Sequence, residues 1–243
     1  MEVSVVVSGS VLSALAAEVA ALEGVLSGLS EEEAVLPTRC APWDVAALAM
    51  HTVGAVLRVG PMLDGGARAP GPLVSAAGYY RPDVRFSAEV DADRVGSAVE
   101  AAARRSDAGE PGRVLRERWT PLRERLAAEA EGRVVVTRHG DPMLLSEFLV
   151  TRVVEAVLHG WDMADALGRA PWTAPEALDA VRSLVFGGAD RDVVESVVPG
   201  VWSDVSAGVS AVRAVTGRAL PGGGVDRGDL ERAGVRLLAL GGS

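Results

Sequence analysis

The chain has 243 residues, of which 49% are hydrophobic and only 4% aromatic, and its formal net charge is −9. Every basic residue is an arginine and the arginines are scattered, which excludes the basic surface of a nucleic-acid binder and a basic membrane-surface helix. The single cysteine, Cys40, cannot form an internal disulfide, and we find no signal peptide or membrane span, so we expect a cytoplasmic protein without a membrane partner.

The first third of the chain predicts two long helices followed by a long connection. The apolar residues of the first helix recur at helical spacing and form one face: Leu12, Leu15, Val19, Leu22 and Leu26. Ser30 and Glu33 have the spacing of a capping box for a short helix. A second helix is predicted over about 43–60. The segment 61–88 is rich in Pro and Gly and predicts a long crossover.

Two further helical regions are predicted in the middle of the chain. The third covers about 89–130 and is broken near 109–112, where two glycines flank a proline. The β-branched segment 133–137 is expected to be extended and to lead into a turn at Gly140, Asp141 and Pro142. The fourth helix covers about 144–167 and ends at Gly168.

Four helices with one long crossover predict an all-α protein built on a four-helix bundle. We expect the bundle to occupy residues 1–170. Residues 171–243 are expected to form a smaller, mainly helical C-terminal segment. Its predicted helices cover roughly 175–187, 203–216 and 226–236.

The fourth helix carries a polar stripe on an otherwise apolar background. Glu155 and His159 are four residues apart and therefore lie on one face of the helix. Arg152 and Asp162 extend the same stripe, three residues before Glu155 and three after His159. Because a helix this apolar is largely buried, its polar stripe must face either solvent or an internal polar cavity.

The second helix shows the same pattern with a single histidine. Between Val45 and Val59 its only polar side chains are His51, Thr52 and Arg58. Two helices that each present one histidine from an apolar background can project ligands into a common bundle interior, which is how metal sites in helix bundles are built.

The candidate metal ligands are His51, Glu155 and His159. Two imidazoles and one carboxylate leave open coordination positions, as in catalytic zinc sites, and they also match the ligand set of non-haem iron enzymes. Asp162 is positioned to orient an imidazole from outside the ligand set. Each pair also has a simpler interpretation, since a Glu four residues before a His is a common helix-face pair and a lone histidine is commonly a hydrogen-bonded core residue.

Other polar residues receive weaker functional interpretations. His139 precedes a glycine in a turn and is expected to be a loop residue. Cys40, just before the second helix, is expected to be a small half-buried side chain. Arg81 and Arg85 in the crossover are candidates for binding a substrate carboxylate, although a solvated loop is the simpler expectation.

Two segments place the candidate ligands within longer motifs. In the first, from Leu36 to His51, a Cys-Ala-Pro-Trp turn opens a helix with a histidine near its middle. The second, from Val154 to Asp162, contains Glu-Ala-Val-Leu-His-Gly-Trp-Asp. In spacing, order and the flanking tryptophan, the two segments resemble the signatures of the mycothiol-dependent maleylpyruvate isomerase family. The resemblance covers about residues 10–170.

The resemblance implies a DinB-like four-helix bundle in which His51, Glu155 and His159 bind a divalent metal, usually zinc. It also implies mycothiol as the thiol cosubstrate and an actinobacterial source. Many members end in a sterol-carrier-like α+β domain, for which this tail is too short and too helical, so we expect substrate recognition to differ. Thr216-Gly217-Arg218 resembles a motif near the end of some members.

The implied chemistry is addition of a metal-bound thiolate to an electrophilic, unsaturated small molecule. An isomerase would release the thiolate after bond rotation, whereas an S-transferase would release the adduct. We expect Asp162 and Arg152 to assist, with Arg152, Arg81 or Arg85 binding an anionic substrate, in a monomer or homodimer. A non-haem iron enzyme with the same ligands, and a bundle that binds a metal or small ligand without catalysis, are the alternatives.

Overall fold

The computed structural model describes residues 4–65, 71–80, 88–220, 224–235 and 237–238. In chain order the elements are α1 (Ser4–Ser27), α2 (Glu31–Ala34), α3 (Val45–Leu57), α4 (Val59–Asp64), α5 (Ala76–Tyr79), α6 (Ala88–Ala103), α7 (Glu110–Ala128), β1 (Val134–Val136), β2 (Pro142–Leu144), α8 (Leu145–Ala166), α9 (Pro175–Phe186), α10 (Arg191–Val197), α11 (Val205–Val215) and α12 (Arg227–Arg232). Among the described residues, the only named strands form one antiparallel pair. The prediction of an all-α fold is confirmed.

Four helices enclose the core, because α1 and α3 each pack against both α7 and α8. The apolar face predicted for α1 is buried, and Leu15, Leu22 and Leu26 are inaccessible to solvent. The start of α7 lies very close to the end of α1. A Cβ atom on Gly112 would lie only 2.4 Å from the backbone nitrogen of Ser27, so this helix contact requires a glycine.

The two helices with the candidate ligands begin close to their predicted positions. Asp44 caps α3 by accepting a hydrogen bond from the N–H of Ala47 at 2.8 Å. The predicted second helix is divided, since α3 ends at Leu57 and the short α4 follows. The segment 133–137 contains β1 and is extended as predicted, but Pro142, which we expected in a turn, already belongs to β2.

The C-terminal segment packs against the bundle through α9, which contacts α1 and α8 and supports α11 on its other side. The three helices predicted here correspond to α9, α11 and α12. The short α10 was not predicted, because seven residues are too few to show a helical period. Its start is fixed by Asp190, whose side chain accepts from the N–H groups of Asp192 and Val193. The division into 1–170 and 171–243 stays a prediction.

Two helical stretches, Ser10–Ser27 and Val45–Asp64, are long and apolar enough to cross a membrane by length and composition alone. Of the first stretch 39% is buried inside the fold, and of the second 61%. Core helices pass the same test, and both stretches direct an apolar face into the bundle. The expectation that the protein has no membrane partner stays a prediction.

Glu18 is a buried acid between α1 and α9. Its Oε2 accepts a hydrogen bond from the backbone N–H of Ala174 at 2.9 Å, whereas Oε1 has no hydrogen-bond partner among the described residues. Burial raises the pKa of Glu18 to about 7, and the hydrogen bond from Ala174 only partly opposes this shift. Since an ionised carboxylate with an unsatisfied buried oxygen is costly, the folded protein favours the neutral acid below that pH.

We therefore expect the free energy of unfolding to fall as the pH rises from 5 to 8. The pKa of Glu18 is 4.5 in its reference state and about 7 in the fold, so the folded chain binds the extra proton between these values. The loss amounts to about 3 kcal/mol at most. Urea unfolding of Glu18→Gln should show a much flatter pH dependence, whereas the exposed Glu124→Gln should keep the wild-type slope. An unchanged slope in Glu18→Gln would contradict this assignment.

Candidate metal centre

The contact between α3 and α8 brings the three predicted ligands together. The Oε2 atom of Glu155 lies 3.3 Å from Nε2 of His159 and 3.7 Å from Nε2 of His51. The three ligand atoms all lie within 4.8 Å of one another. Their side chains are only 12–21% exposed, so the ligand atoms face a mostly enclosed space that keeps some access to solvent.

The ligand atoms have the spacing that a small divalent ion requires. Zinc bonds imidazole nitrogen and carboxylate oxygen at about 2.0–2.2 Å, so neighbouring ligands of a tetrahedral ion lie roughly 3.3–3.6 Å apart. The separations of 3.3 and 3.7 Å around Glu155 fit this range. His51, Glu155 and His159 could therefore hold such an ion and leave a position free, although the arrangement alone does not identify the metal.

Asp162 fixes the orientation of the His159 imidazole. Its Oδ2 lies 3.1 Å from Nδ1 of His159, so Nε2 on the opposite side of the ring points towards Glu155. A carboxylate behind a ligand histidine selects the tautomer that leaves the other nitrogen free for a metal. The structure thus places Asp162 in contact with the candidate ligand His159, and its role in orienting that histidine stays a prediction.

Arg218, from the C-terminal segment, completes the surroundings of Asp162. Its Nε and Nη2 atoms donate to the two oxygens of Asp162 at 2.9 and 2.8 Å, and both side chains are almost fully buried. Arg213 holds the same segment on α8 through two bonds of 2.8 Å to Asp165. The bidentate pair compensates the charge of a buried aspartate, which would otherwise be strongly unfavourable.

The loop before α3 also reaches this carboxylate. The Cys40 thiol donates to Oδ2 of Asp162 at 3.3 Å, and Nε of Arg39 lies 3.7 Å from Oδ1. Cys40, His159 and Asp162 form a second group of possible ligand atoms within 4.8 Å. Because Arg218 already binds both oxygens of Asp162, the group at Glu155 is the better candidate for a metal. Cys40 is half-buried, as expected.

Charges alternate along the site. Burial lowers the pKa of His51 to about 4, so its ring is neutral and has a lone pair for a metal. Burial opposes the charged forms of Glu155 and His159 too, but their polar partners outweigh it. Hydrogen bonds from His159 and His51 hold the pKa of Glu155 well below its ordinary value. Hydrogen bonds to Asp162, Cys40 and Glu155, in that order, raise the pKa of His159 well above its ordinary value. A metal ion would replace the proton on Nε2 of His159.

Trp43 forms one wall of the site. Its ring stacks on His51 with centroids 4.5 Å apart and an angle of 28° between the planes. Its indole N–H donates to the carbonyl of Val95 in α6 at 3.3 Å, which ties the wall to a neighbouring helix. A stacked aromatic ring limits the rotation of His51 and excludes water from one side of the site.

Arg152 lies one helical turn before Glu155 and is buried, with only 3% of its surface exposed. It is near the candidate ligands but is not one of them. His139 lies in the turn between β1 and β2, as expected, and is outside the ligand group. Arg81 and Arg85, the other candidates for binding an anion, lie outside the described residues.

Sequence reasoning missed the roles of Arg218 and Arg39. Arg218 is 56 residues from Asp162 in the chain, and no periodicity or local spacing relates the two. The only signal was the resemblance of Thr216-Gly217-Arg218 to a family motif, which assigned no contact. A buried acid and a buried arginine in separate segments would have suggested an ion pair, but the sequence contains many arginines that could have paired with Asp162.

Comparisons with known proteins agree with the resemblance. Residues 15–164 match the family model described as the mycothiol maleylpyruvate isomerase N-terminal domain. Among solved structures, the chain is similar to one titled "Crystal structure of the mycothiol-dependent maleylpyruvate isomerase". The TM-score is 0.55 at 13% sequence identity, with 87% of this chain and 90% of that chain covered. At this identity the structural match shows the fold alone. No curated protein matches the sequence.

We expect Asp162→Asn to weaken zinc binding by about 10- to 100-fold, because the amide orients and polarises His159 less well than a carboxylate. Arg218→Gln should weaken binding in the same direction, since it leaves Asp162 without its bidentate partner. His51→Ala and Glu155→Gln should abolish stoichiometric binding. Competition with a chromophoric chelator measures each affinity on protein purified without a histidine tag.

Asp64→Asn is the matched control, because Asp64 forms an exposed ion pair with Arg125 and is not part of the metal centre. Its zinc affinity should equal that of the wild type. Wild-type affinity in Asp162→Asn, or retained stoichiometric zinc in both ligand variants, would contradict the assignment.

Proposed function

Because the chain belongs to the mycothiol maleylpyruvate isomerase family, we propose that it is a zinc- and thiol-dependent isomerase of an electrophilic, unsaturated small molecule. Mycothiol is the proposed thiol cosubstrate, as in the enzyme named by the structural match. We place the activity in the cytoplasm, with a small molecule as the partner. Whether the protein is a monomer or a homodimer stays a prediction.

One observation carries the proposal: His51, Glu155 and His159 converge within 4.8 Å in a mostly buried space. Three ligands of this kind are typical of catalytic zinc sites, whereas structural zinc sites have four protein ligands and favour cysteine. The described part of the chain offers no fourth ligand in that group. This supports an enzyme over a bundle that uses zinc only for stability.

The thiol must come from outside the protein. Cys40 is the only cysteine in the sequence. It bonds to Asp162 on the Nδ1 side of His159, whereas the candidate ligand atom of that histidine is Nε2. Cys40 is therefore on the wrong side of the imidazole to act as the reacting thiol, and a free cosubstrate is the better account.

When bound, a zinc ion would lower the pKa of a coordinated thiol and supply a thiolate at neutral pH. The protein's own part is to hold its ligands in place and exclude water. Asp162 keeps the Nδ1 proton of His159, so that Nε2 stays directed at the site. Trp43 covers His51 from one side. We propose that Arg152 acts on the substrate rather than on the metal.

The described part of the crossover between α4 and α6, residues 71–80, lies against α8 beside the site. It is fixed to α8 by two hydrogen bonds, from the Ala76 N–H to Glu147 at 2.7 Å and from the Tyr80 hydroxyl to the Thr151 carbonyl at 3.1 Å. Tyr80 is itself buried. These contacts support the proposal that residues 71–80 shield the space beside Glu155, which would keep a reactive thiolate away from bulk water.

The assay that tests the proposal uses zinc-loaded protein, mycothiol and a cis-unsaturated keto acid such as maleylpyruvate. We expect isomerisation that needs only a catalytic amount of thiol. Glu155→Gln should lower kcat/KM by at least about a hundredfold, since it removes a ligand of the metal. The exposed Glu124→Gln should match the wild type.

Mass spectrometry of the products separates the related outcomes. Unchanged substrate mass with the thiol recovered supports isomerisation, whereas one thiol consumed per substrate would replace it with S-transfer. Activity that requires ferrous iron and oxygen would overturn the proposal in favour of the iron enzyme. Absence of any turnover in protein that carries one zinc ion per chain would favour the non-catalytic bundle.

A further inference from the structure

Arg152 carries a buried hydrogen-bond donor that no residue in the described part of the chain satisfies. Its Nη1 donates to the carbonyl of Ala55 and its Nε to the hydroxyl of Thr151, both at 3.1 Å. The guanidinium lies over the ring of Phe148, 4.5 Å from its centroid. Nη2 is buried and has no hydrogen-bond partner in the described structure. Such a donor costs free energy unless a ligand binds it.

Two more arginines approach the same place from other elements. Arg58 directly follows α3 and is half-buried, and Arg138 lies exposed in the turn between β1 and β2. Arg58 follows Ala55, which binds Arg152, by three residues. Arg138 donates to His139 at 3.2 Å, and the His139 ring lies 6.4 Å from the ring of Tyr79, which Arg152 also approaches. Burial lowers the pKa of Arg58, and the charges of Arg138 and Arg152 lower it further, whereas Tyr79 and Glu155 oppose the shift. Among the carboxylates that the structure describes, none forms an ion pair with any of the three arginines.

The arginine cluster lies beside the metal centre along the bundle axis. Arg152 precedes Glu155 by one turn on α8, and its partner Ala55 follows His51 by one turn on α3. With a rise of about 1.5 Å per residue, the backbone of Arg152 lies roughly 4.5 Å from that of Glu155 along α8, and Ala55 lies roughly 6 Å from His51 along α3. Tyr79 of the crossover lies on the same side, with Arg152 positioned 5.9 Å from its ring centroid.

We propose that Arg58, Arg138 and Arg152 form a subsite for a carboxylate of the substrate, next to but separate from the metal. The inference rests on the proposed function only in taking this pocket as the place where the electrophile binds. Guanidinium groups present planar N–H pairs that match carboxylate oxygens, and an anion here satisfies the free donor and relieves the repulsion between the cations.

The position of the subsite has a consequence for specificity. A carboxylate held by Arg152 places carbons a few bonds away beside the candidate ligands. The protein therefore selects anionic electrophiles over neutral ones of the same size. The subsite selects the electrophile and has no effect on binding of the thiol. A small carboxylate should therefore compete with the electrophile but not with the thiol.

Calorimetric titration with maleate, a small dicarboxylate, tests the subsite without any turnover. We expect maleate to bind zinc-loaded and metal-free protein with similar affinity. Arg152→Gln and Arg58→Gln should each raise the dissociation constant at least about tenfold, because each removes a charge-assisted interaction. Arg152→Lys should bind weakly as well, since it keeps the charge but lacks the planar pair of donors. Arg123→Gln, on the exposed surface of α7, should bind maleate like the wild type.

Each other outcome overturns the proposal. Binding that disappears with the metal would show that the carboxylate coordinates the ion instead. Equal weakening in Arg123→Gln would show general charge screening, and competition of maleate with mycothiol would place the anion in the thiol site. Because Arg58 is half-buried at a helix end, we expect Arg58→Gln to fold. That variant therefore tests the subsite even if Arg152→Gln does not fold. Since no turnover is measured, failure of the isomerase assay leaves this result intact.

Discussion

The buried carboxylate of Asp162 is the group on which the arrangement of the site depends. A fully buried charge is tolerated only when it is paired and hydrogen-bonded, and three parts of the chain meet this requirement here. His159 contacts it from the same helix, Arg218 from the C-terminal segment, and Cys40 from the loop before α3. Removing the carboxylate would therefore release several segments at once. The same contacts fix the direction of His159 Nε2.

This dependence explains why the C-terminal segment matters to a centre whose candidate ligands all lie in the bundle. The segment contributes no ligand, but Arg218 neutralises Asp162, and Arg213 secures the segment on α8 through Asp165. Two polar contacts connect Arg218 to the candidate ligand His159: Arg218 to Asp162 at 2.8 Å, and Asp162 to Nδ1 of His159 at 3.1 Å. We therefore expect an interaction outside the candidate ligand set to determine how firmly His159 is held.

Sequence reasoning could predict the features of the structure that depend on local residue spacing. The 3.6-residue period placed Glu155, His159 and Asp162 on one face of α8, and an apolar background placed His51 inside the bundle. It was insufficient for contacts that depend on how distant segments pack. Arg218 could have paired with any buried acid. In the described structure Ala55 and Thr151 bind two nitrogens of Arg152 and Nη2 has no partner, which local spacing does not predict. The short α10 lacked the length to show a period.

The central claim is that His51, Glu155 and His159 hold a zinc ion whose free position takes an external thiol. X-ray absorption at the zinc edge tests it directly, before and after addition of mycothiol. We predict only nitrogen and oxygen neighbours at about 2.0–2.2 Å in the free protein, and one added sulfur at about 2.3 Å with the thiol present. A sulfur neighbour before the thiol is added would assign Cys40 to the metal. No sulfur after it is added would contradict thiol activation at this site.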